Sequence, residues 1–159
     1  MFDSSSEARP EARRVGLILE SHQLTIATAE SMTGGALAEA LVPVPGAGEW
    51  LAGGVIAYLS RVKFDVLGVE EGPVISESAA KQMASAVAKM MGTDIGVSTT
   101  GCAGPESMED QPIGTVWTGA AINGRSIAAH HLLDGDPRAI RQEAVRRALI
   151  LVAELVERD

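Results

Sequence analysis

Tyr58, Ser60 and Lys63 bring a phenol, a hydroxyl and an amine within six residues of one another. If Ser60 opens a helix, Lys63 lies one turn on and faces the same edge. An amine beside apolar or cationic neighbours releases its proton near neutral pH and can then act as a base. A tyrosine hydroxyl beside it can relay a proton or hold an oxyanion. The same residues also suit a solvated lysine on a surface helix and a tyrosine used for packing.

Two other stretches carry comparable groups. Thr28-Ala29-Glu30-Ser31-Met32-Thr33-Gly34-Gly35 crowds hydroxyls, a carboxylate and two glycines into one strand-to-helix turn. Glycines let backbone approach a ligand closely, and the first N–H groups of a helix lack intrahelical partners. Such a turn suits an anion, most simply a phosphate at Thr33, Gly34 and Gly35. It equally suits a plain helix start capped by Ser31 or Thr33. The third stretch runs from Ser98 through Thr99 and Thr100 into Gly101-Cys102-Ala103-Gly104-Pro105. All three follow apolar strands, and ligands of open α/β sheets bind at the carboxyl ends of strands. Residues 30–35, 58–63 and 98–105 are therefore expected to line one pocket.

Other reactive side chains offer less. Cys102 reads as a small buried apolar group. His130 and His131 are adjacent in a strand, so they point to opposite faces and make a poor metal pair. His22 lies near a helix end, and no spacing of Cys, His or carboxylates reads as a metal site. Arg138 and Arg141 open the terminal helix beside the turn Asp134-Gly135-Asp136, within reach of an anion in the pocket or simply on a solvated face.

The elements that must position these groups follow from periodicity. Residues 1–8 read as a frayed polar terminus, and 11–21 as a helix with Val15, Ile18 and Leu19 on one face. A strand over 24–29 and a helix over 36–42 flank the first turn, and Pro43-Val44-Pro45-Gly46-Ala47-Gly48 breaks regular structure. A glycine-bearing strand spans 51–59, a short helix 61–67, and Ser76 opens an alanine-rich helix to Met91. A strand at 93–100 precedes two more, 113–121 and 126–133, joined by the hairpin turn Asn123-Gly124. Pro137 starts a long last helix. Strands separated by helices imply parallel pairing, and the hairpin adds an antiparallel part. The expected fold is α/β, a three-layer α/β/α sandwich on a mixed, mainly parallel sheet, as one domain over 1–159.

Composition limits the partners. A net charge of −8 argues against nucleic acid, which needs clustered Lys and Arg. One cysteine excludes an intramolecular disulfide and fits a reducing compartment. No apolar signal core opens the chain, and no run approaches the roughly 18 apolar residues of a membrane helix. A soluble cytoplasmic protein is expected, with no membrane partner and homo-oligomers allowed.

Several blocks together resemble one family. Beside the first turn they are Gly53-Gly54-Val55-Ile56-Ala57-Tyr58, Lys63, Leu67-Gly68-Val69 and Val74-Ile75-Ser76-Glu77. They continue with Thr99-Thr100-Gly101-Cys102-Ala103-Gly104-Pro105, Pro112-Ile113-Gly114-Thr115-Val116-Trp117, and Gly135-Asp136 with Arg141. In this order they resemble the C-terminal domain of CinA, the competence- and damage-inducible protein family, whose stand-alone members include nicotinamide mononucleotide deamidases. The resemblance implies hydrolysis of nicotinamide mononucleotide to nicotinic acid mononucleotide and ammonia, in pyridine nucleotide salvage, without metal or other cofactor. It implies catalytic roles for Lys63, Tyr58, Thr100 and Ser31. It implies substrate contacts from Glu30, Thr33, Gly34, Gly35, Gly101, Arg138 and Arg141.

Two departures stand out. Where the family has Gly-Ser-Ser, one serine being its nucleophile, this chain has Gly46-Ala47-Gly48. Where the family has Gly-Asp-Arg, this chain has Gly135-Asp136-Pro137-Arg138. The expectations are thus an amidohydrolase using another hydroxyl (Ser31, Ser60 or Thr100) or a Lys63-activated water, or a catalytically impaired module that binds a mononucleotide.

Overall fold

The computed structural model describes residues 8–158. The elements in order are α1 (Pro10–His22), β1 (Ile26–Glu30), α2 (Ala36–Leu41), α3 (Ala47–Trp50), β2 (Leu51–Ile56), α4 (Ser60–Asp65), α5 (Glu77–Met91), β3 (Ile95–Gly101), β4 (Thr115–Ile122), β5 (Arg125–Leu132) and α6 (Pro137–Arg158). They form one sheet of order β2-β1-β3-β4-β5. β1 pairs in parallel with β2 and β3, while β4 runs antiparallel to β3 and β5. Four strands therefore share one direction and β4 alone opposes them.

Alternation along β1 and β3 sends successive side chains to opposite faces. Ile26, Ile95 and Val97 join α1, α2, α3 and α6 in one core. Ala27 and Ala29 join Met83 and Val87 of α5 and the 67–74 loop in a second. These are the outer layers of an α/β/α sandwich. With few aromatic residues available, the α5 layer packs through small ones. Ser98 Oγ donates to the Ala80 carbonyl at 2.6 Å, and a Cβ at Gly96 or Gly119 would fall inside the Ala84 or Ala80 carbonyl. Caps match the sequence. Ser76 Oγ accepts from Ala79 N–H and Gly92 closes α5 in the left-handed region. Asp136 Oδ1 accepts from Ala139 N–H at the start of α6. Asn123 and Gly124 both have positive φ, as the tight hairpin turn requires.

Two local expectations are corrected. The segment read as a break holds the one-turn helix α3, because Trp50 and Ala47 are drawn into the first core. Of the terminus read as frayed, residues 1–7 lie outside the described residues, while Ala8 is buried against that same core. Among the described residues no helix is long and apolar enough to cross a membrane.

Candidate active site

At the carboxyl ends of β1, β2 and β3 a cavity of about 80 Å³ opens. Ser31, Tyr58, Ser60, Lys63, Thr100, Gly101 and Arg141 line it together. The three stretches singled out in the sequence thus converge, each fed by one of three neighbouring parallel strands.

Lys63, read from the sequence as a candidate base or a solvated surface lysine, is buried, being 1% exposed. Val62 and Phe64 of α4 are half-buried against the second core, and this turns Lys63 inward between them. Its Nζ donates to the carbonyls of Ala57, at 2.7 Å, and Tyr58, at 3.2 Å. Burial lowers its pKa from the ordinary 10.5 to about 8, against a smaller raising effect of the Glu109 carboxylate. A neutral amine has two N–H bonds and one lone pair. Two backbone carbonyls take the two N–H bonds, which leaves the lone pair as the group free to accept a proton.

Ser31 continues β1 by one residue, its N–H donating to the Thr99 carbonyl at 3.1 Å. The strand alternation that sends Glu30 toward α2 sends Ser31 to the other side, where it lines the cavity. Among the described residues its hydroxyl has no hydrogen-bond partner. Thr100 differs, since its hydroxyl proton is given to the Val74 carbonyl at 2.7 Å. It can accept a hydrogen bond from a ligand but is poorly placed to attack one. Tyr58 stands at the rim, 69% exposed.

The first turn is not an open anion site. The Glu30 carboxylate is buried and already fills the start of α2. Its Oε1 accepts from Thr33 Oγ1 (2.7 Å), Gly35 N–H (3.2 Å) and Leu37 N–H (2.8 Å). Its Oε2 accepts from Ala38 N–H (3.0 Å) and Thr28 Oγ1 (3.5 Å). Thr33 also bonds Thr99 Oγ1 at 2.7 Å. The expected phosphate at Thr33, Gly34 and Gly35 is therefore replaced by the protein's own carboxylate, and Gly34 faces open space. Glu30, Thr33 and Gly35 hold the turn and do not line the cavity.

The terminal helix separates the two arginines. Arg141 reaches the cavity, whereas Arg138 is exposed and outside its lining. Among the described residues Arg141 has no carboxylate partner, which leaves its charge for a ligand. Ala47 and Gly48 lie at the opposite end of β2. Ala47 is buried in the first core, Gly48 has open space around it, and neither lines the cavity. The intervening strand, Leu51–Ile56, is roughly 17 Å long at ordinary rise. Within one chain, a hydroxyl at 47 or 48 would not meet Lys63.

Other lining residues carried little signal. Cys102 is buried, its Sγ donating to the Glu106 carbonyl at 3.0 Å. Met32, Val74, Ile75, Ala103, Gly104, Glu106 and Met108 complete the wall. Glu109, in a polar loop without periodicity, accepts from the N–H groups of Val74 and Ile75 at 2.8–3.1 Å. Among the described residues no three His, Cys, Asp or Glu side chains gather closely enough to hold a metal ion.

The fold and sequence have clear relatives. The CinA C-terminal domain profile matches residues 9–156. A competence-damage inducible protein of Geobacillus kaustophilus is 40% identical over 147 residues, which cover 89% of this chain and 36% of that protein. A CinA-like protein of Frankia casuarinae is likewise 40% identical over 89% of this chain, and 34% of its own length is matched. The chain thus spans about a third of the length of these curated relatives. Among solved structures, a CinA superfamily protein from Klebsiella pneumoniae superposes with a TM-score of 0.90 at 29% identity, covering 99% of this chain and 100% of that one. An Escherichia coli superfamily member gives 0.88 at 30% identity, covering 98% and 93%. With the match running through nearly every described residue, this chain belongs to the CinA C-terminal domain family.

Proposed function

We propose that this chain is an amidohydrolase that takes ammonia from the carboxamide of nicotinamide mononucleotide. The observation that carries the reading is the buried amine of Lys63, with a lowered pKa, lining the same small cavity as the unpartnered hydroxyl of Ser31. At about 80 Å³ the cavity is far below the roughly 300–1,000 Å³ of ordinary ligand pockets. It suits the carboxamide end, with ribose and phosphate outside toward Arg141.

Neutral Lys63 takes the Ser31 proton as Ser31 Oγ attacks the amide carbon. Tyr58 donates to the carbonyl oxygen as it gains charge. The C–N bond then breaks, the Lys63 ammonium gives its proton to the leaving nitrogen, and ammonia departs. Water next attacks the serine ester, giving a proton to Lys63. The ester C–O bond breaks, Lys63 returns its proton to Ser31 Oγ, and the carboxylic acid formed gives its own proton to solvent and leaves as the carboxylate. Thr100, with its lone pairs free, accepts from the substrate amide and orients it.

The test incubates the pure protein with nicotinamide mononucleotide and follows both ammonia release and thermal stabilisation. Turnover is expected, abolished in Ser31→Ala, while Gly48→Ser stays within about twofold of the parent because position 48 lies a strand's length away. Stabilisation without ammonia would replace the enzyme by a binding module. A large gain in Gly48→Ser would bring that loop to the cavity from a second copy of the chain and would remove Ser31 from its role.

A further inference from the structure

Residues 103–111 cross the cavity as a strap, with Ala103, Gly104, Glu106 and Met108 in its lining. The strap turns back at Glu109 and Asp110. Gln111 N–H donates to the Met108 carbonyl at 2.9 Å, and φ is +53° at Glu109 and +56° at Asp110. A two-residue turn with both φ positive is usually built from Asn and Gly. Glu and Asp adopt this conformation at a cost, so a compensating contact is needed. The Glu109 side chain supplies one. Both its oxygens accept from Val74 N–H, at 2.9 and 3.1 Å, and Oε1 also accepts from Ile75 N–H at 2.8 Å.

We propose that Glu109 is a positioning residue for the reaction, its carboxylate tying the strap to the Val74–Ile75 backbone that walls the cavity's far side. The proposal rests on the amidohydrolase reading for its effect on turnover, though the tie stands apart from it. The tie continues inward. The Val74 carbonyl takes the Thr100 hydroxyl proton, so a carboxylate at the strap tip fixes the orientation of a hydroxyl inside the cavity. The same charge reaches Lys63 and favours its ammonium form, opposing burial. Of the other groups near Lys63, Tyr58, Cys102, Glu106 and Arg141 share the cavity lining, while Arg61 and Asp65 share its helix. None of these has an effect on Lys63 to match that of Glu109, which lies outside both sets.

Glu109→Gln keeps the shape, removes the charge and leaves one acceptor oxygen in place of two. In the intact protein, hydrogen exchange at the Val74 and Ile75 amides should accelerate about tenfold or more. The Lys63 Nζ titration, followed by nitrogen NMR, should move down by roughly half a pH unit or more. The acid limb of kcat/KM should move with it, since the neutral amine then forms at lower pH. Glu109→Asp should restore the titration in part. Unchanged exchange at Val74 and Ile75 overturns the tie, and an unmoved Lys63 titration overturns the electrostatic part. If the parent protein releases no ammonia, the function fails while exchange and titration still judge Glu109.

Discussion

On the proposed reading, Lys63→Met is expected to lower ammonia release by about a thousandfold or more, while nicotinamide mononucleotide should still raise the melting temperature. The base is lost, but the Arg141 and Tyr58 contacts remain. The same variant reports the cost of burying the amine. The unfolded chain holds the Lys63 proton up to about pH 10.5, and the folded chain releases it near pH 8. Below pH 8 both states are charged, and the folded one carries the whole penalty. Between pH 8 and 10.5 the unfolded state binds more protons, so the parent gains stability with rising pH. Above 10.5 both states are neutral. Relative to the Met variant, the parent should therefore gain ~3 kcal/mol across that window. Urea unfolding at pH 7, 9 and 11 measures the difference. A constant gap between the two proteins would mean that Lys63 is not buried as described.

Glu30→Gln is expected to be the most damaging single change to the fold of the site. Five donors converge on the carboxylate: three backbone N–H groups and two hydroxyls. A glutamine has the same volume but only one acceptor oxygen, and its NH₂ would face donors. Each buried donor left without an acceptor costs about 1–3 kcal/mol. Some relaxation is expected, so a total of ~3 kcal/mol, or roughly 10 °C in Tm for a chain of this size, is the expected loss. Ser31 follows directly, so turnover should fall too, without any contact between Glu30 and substrate. A variant with parental Tm would show that the carboxylate does not hold α2.

Local pattern suffices for part of this fold. The alanine face of α5, the Asn123-Gly124 hairpin and the three apolar strands are set by short-range periodicity and turn chemistry, and they were legible. So was the convergence of the three loops, because parallel strands present their carboxyl ends on one edge. Position 30 was legible only as chemistry. Hydroxyls, glycines and a carboxylate at a helix start describe either an external anion site or one filled from within, and only the backbone path between Glu30 and Leu37 decides. Arg138 and Arg141 are one turn apart on α6, and the packing angle of that helix selects which reaches the cavity. Glu109 had no signal at all. Its partners are 34 and 35 residues away, across a strand and a helix. The family's serine position could be matched by sequence, but its place at the far end of β2 could not.

The order of strands in the sheet also has a consequence in time. β4 and β5 are joined by a two-residue turn and can zip from it, whereas Ile26 must find Ile95 and Leu51 across long stretches of chain. Closing long loops costs entropy before the contacts repay it, so local pairs form early and distant parallel pairs late. The two tryptophans happen to sit on opposite sides of this divide. Trp117 lies in β4 against the His130 ring, with centroids 4.9 Å apart, and Trp50 lies in α3 beside the edge strand β2. In refolding of single-tryptophan variants, the Trp117 fluorescence should reach its native value before that of Trp50, and the reverse order would place the nucleus on the parallel side. If Trp117 leads, the edge that carries the cavity, which needs β1, β2 and β3 together, is among the last parts of the molecule to form.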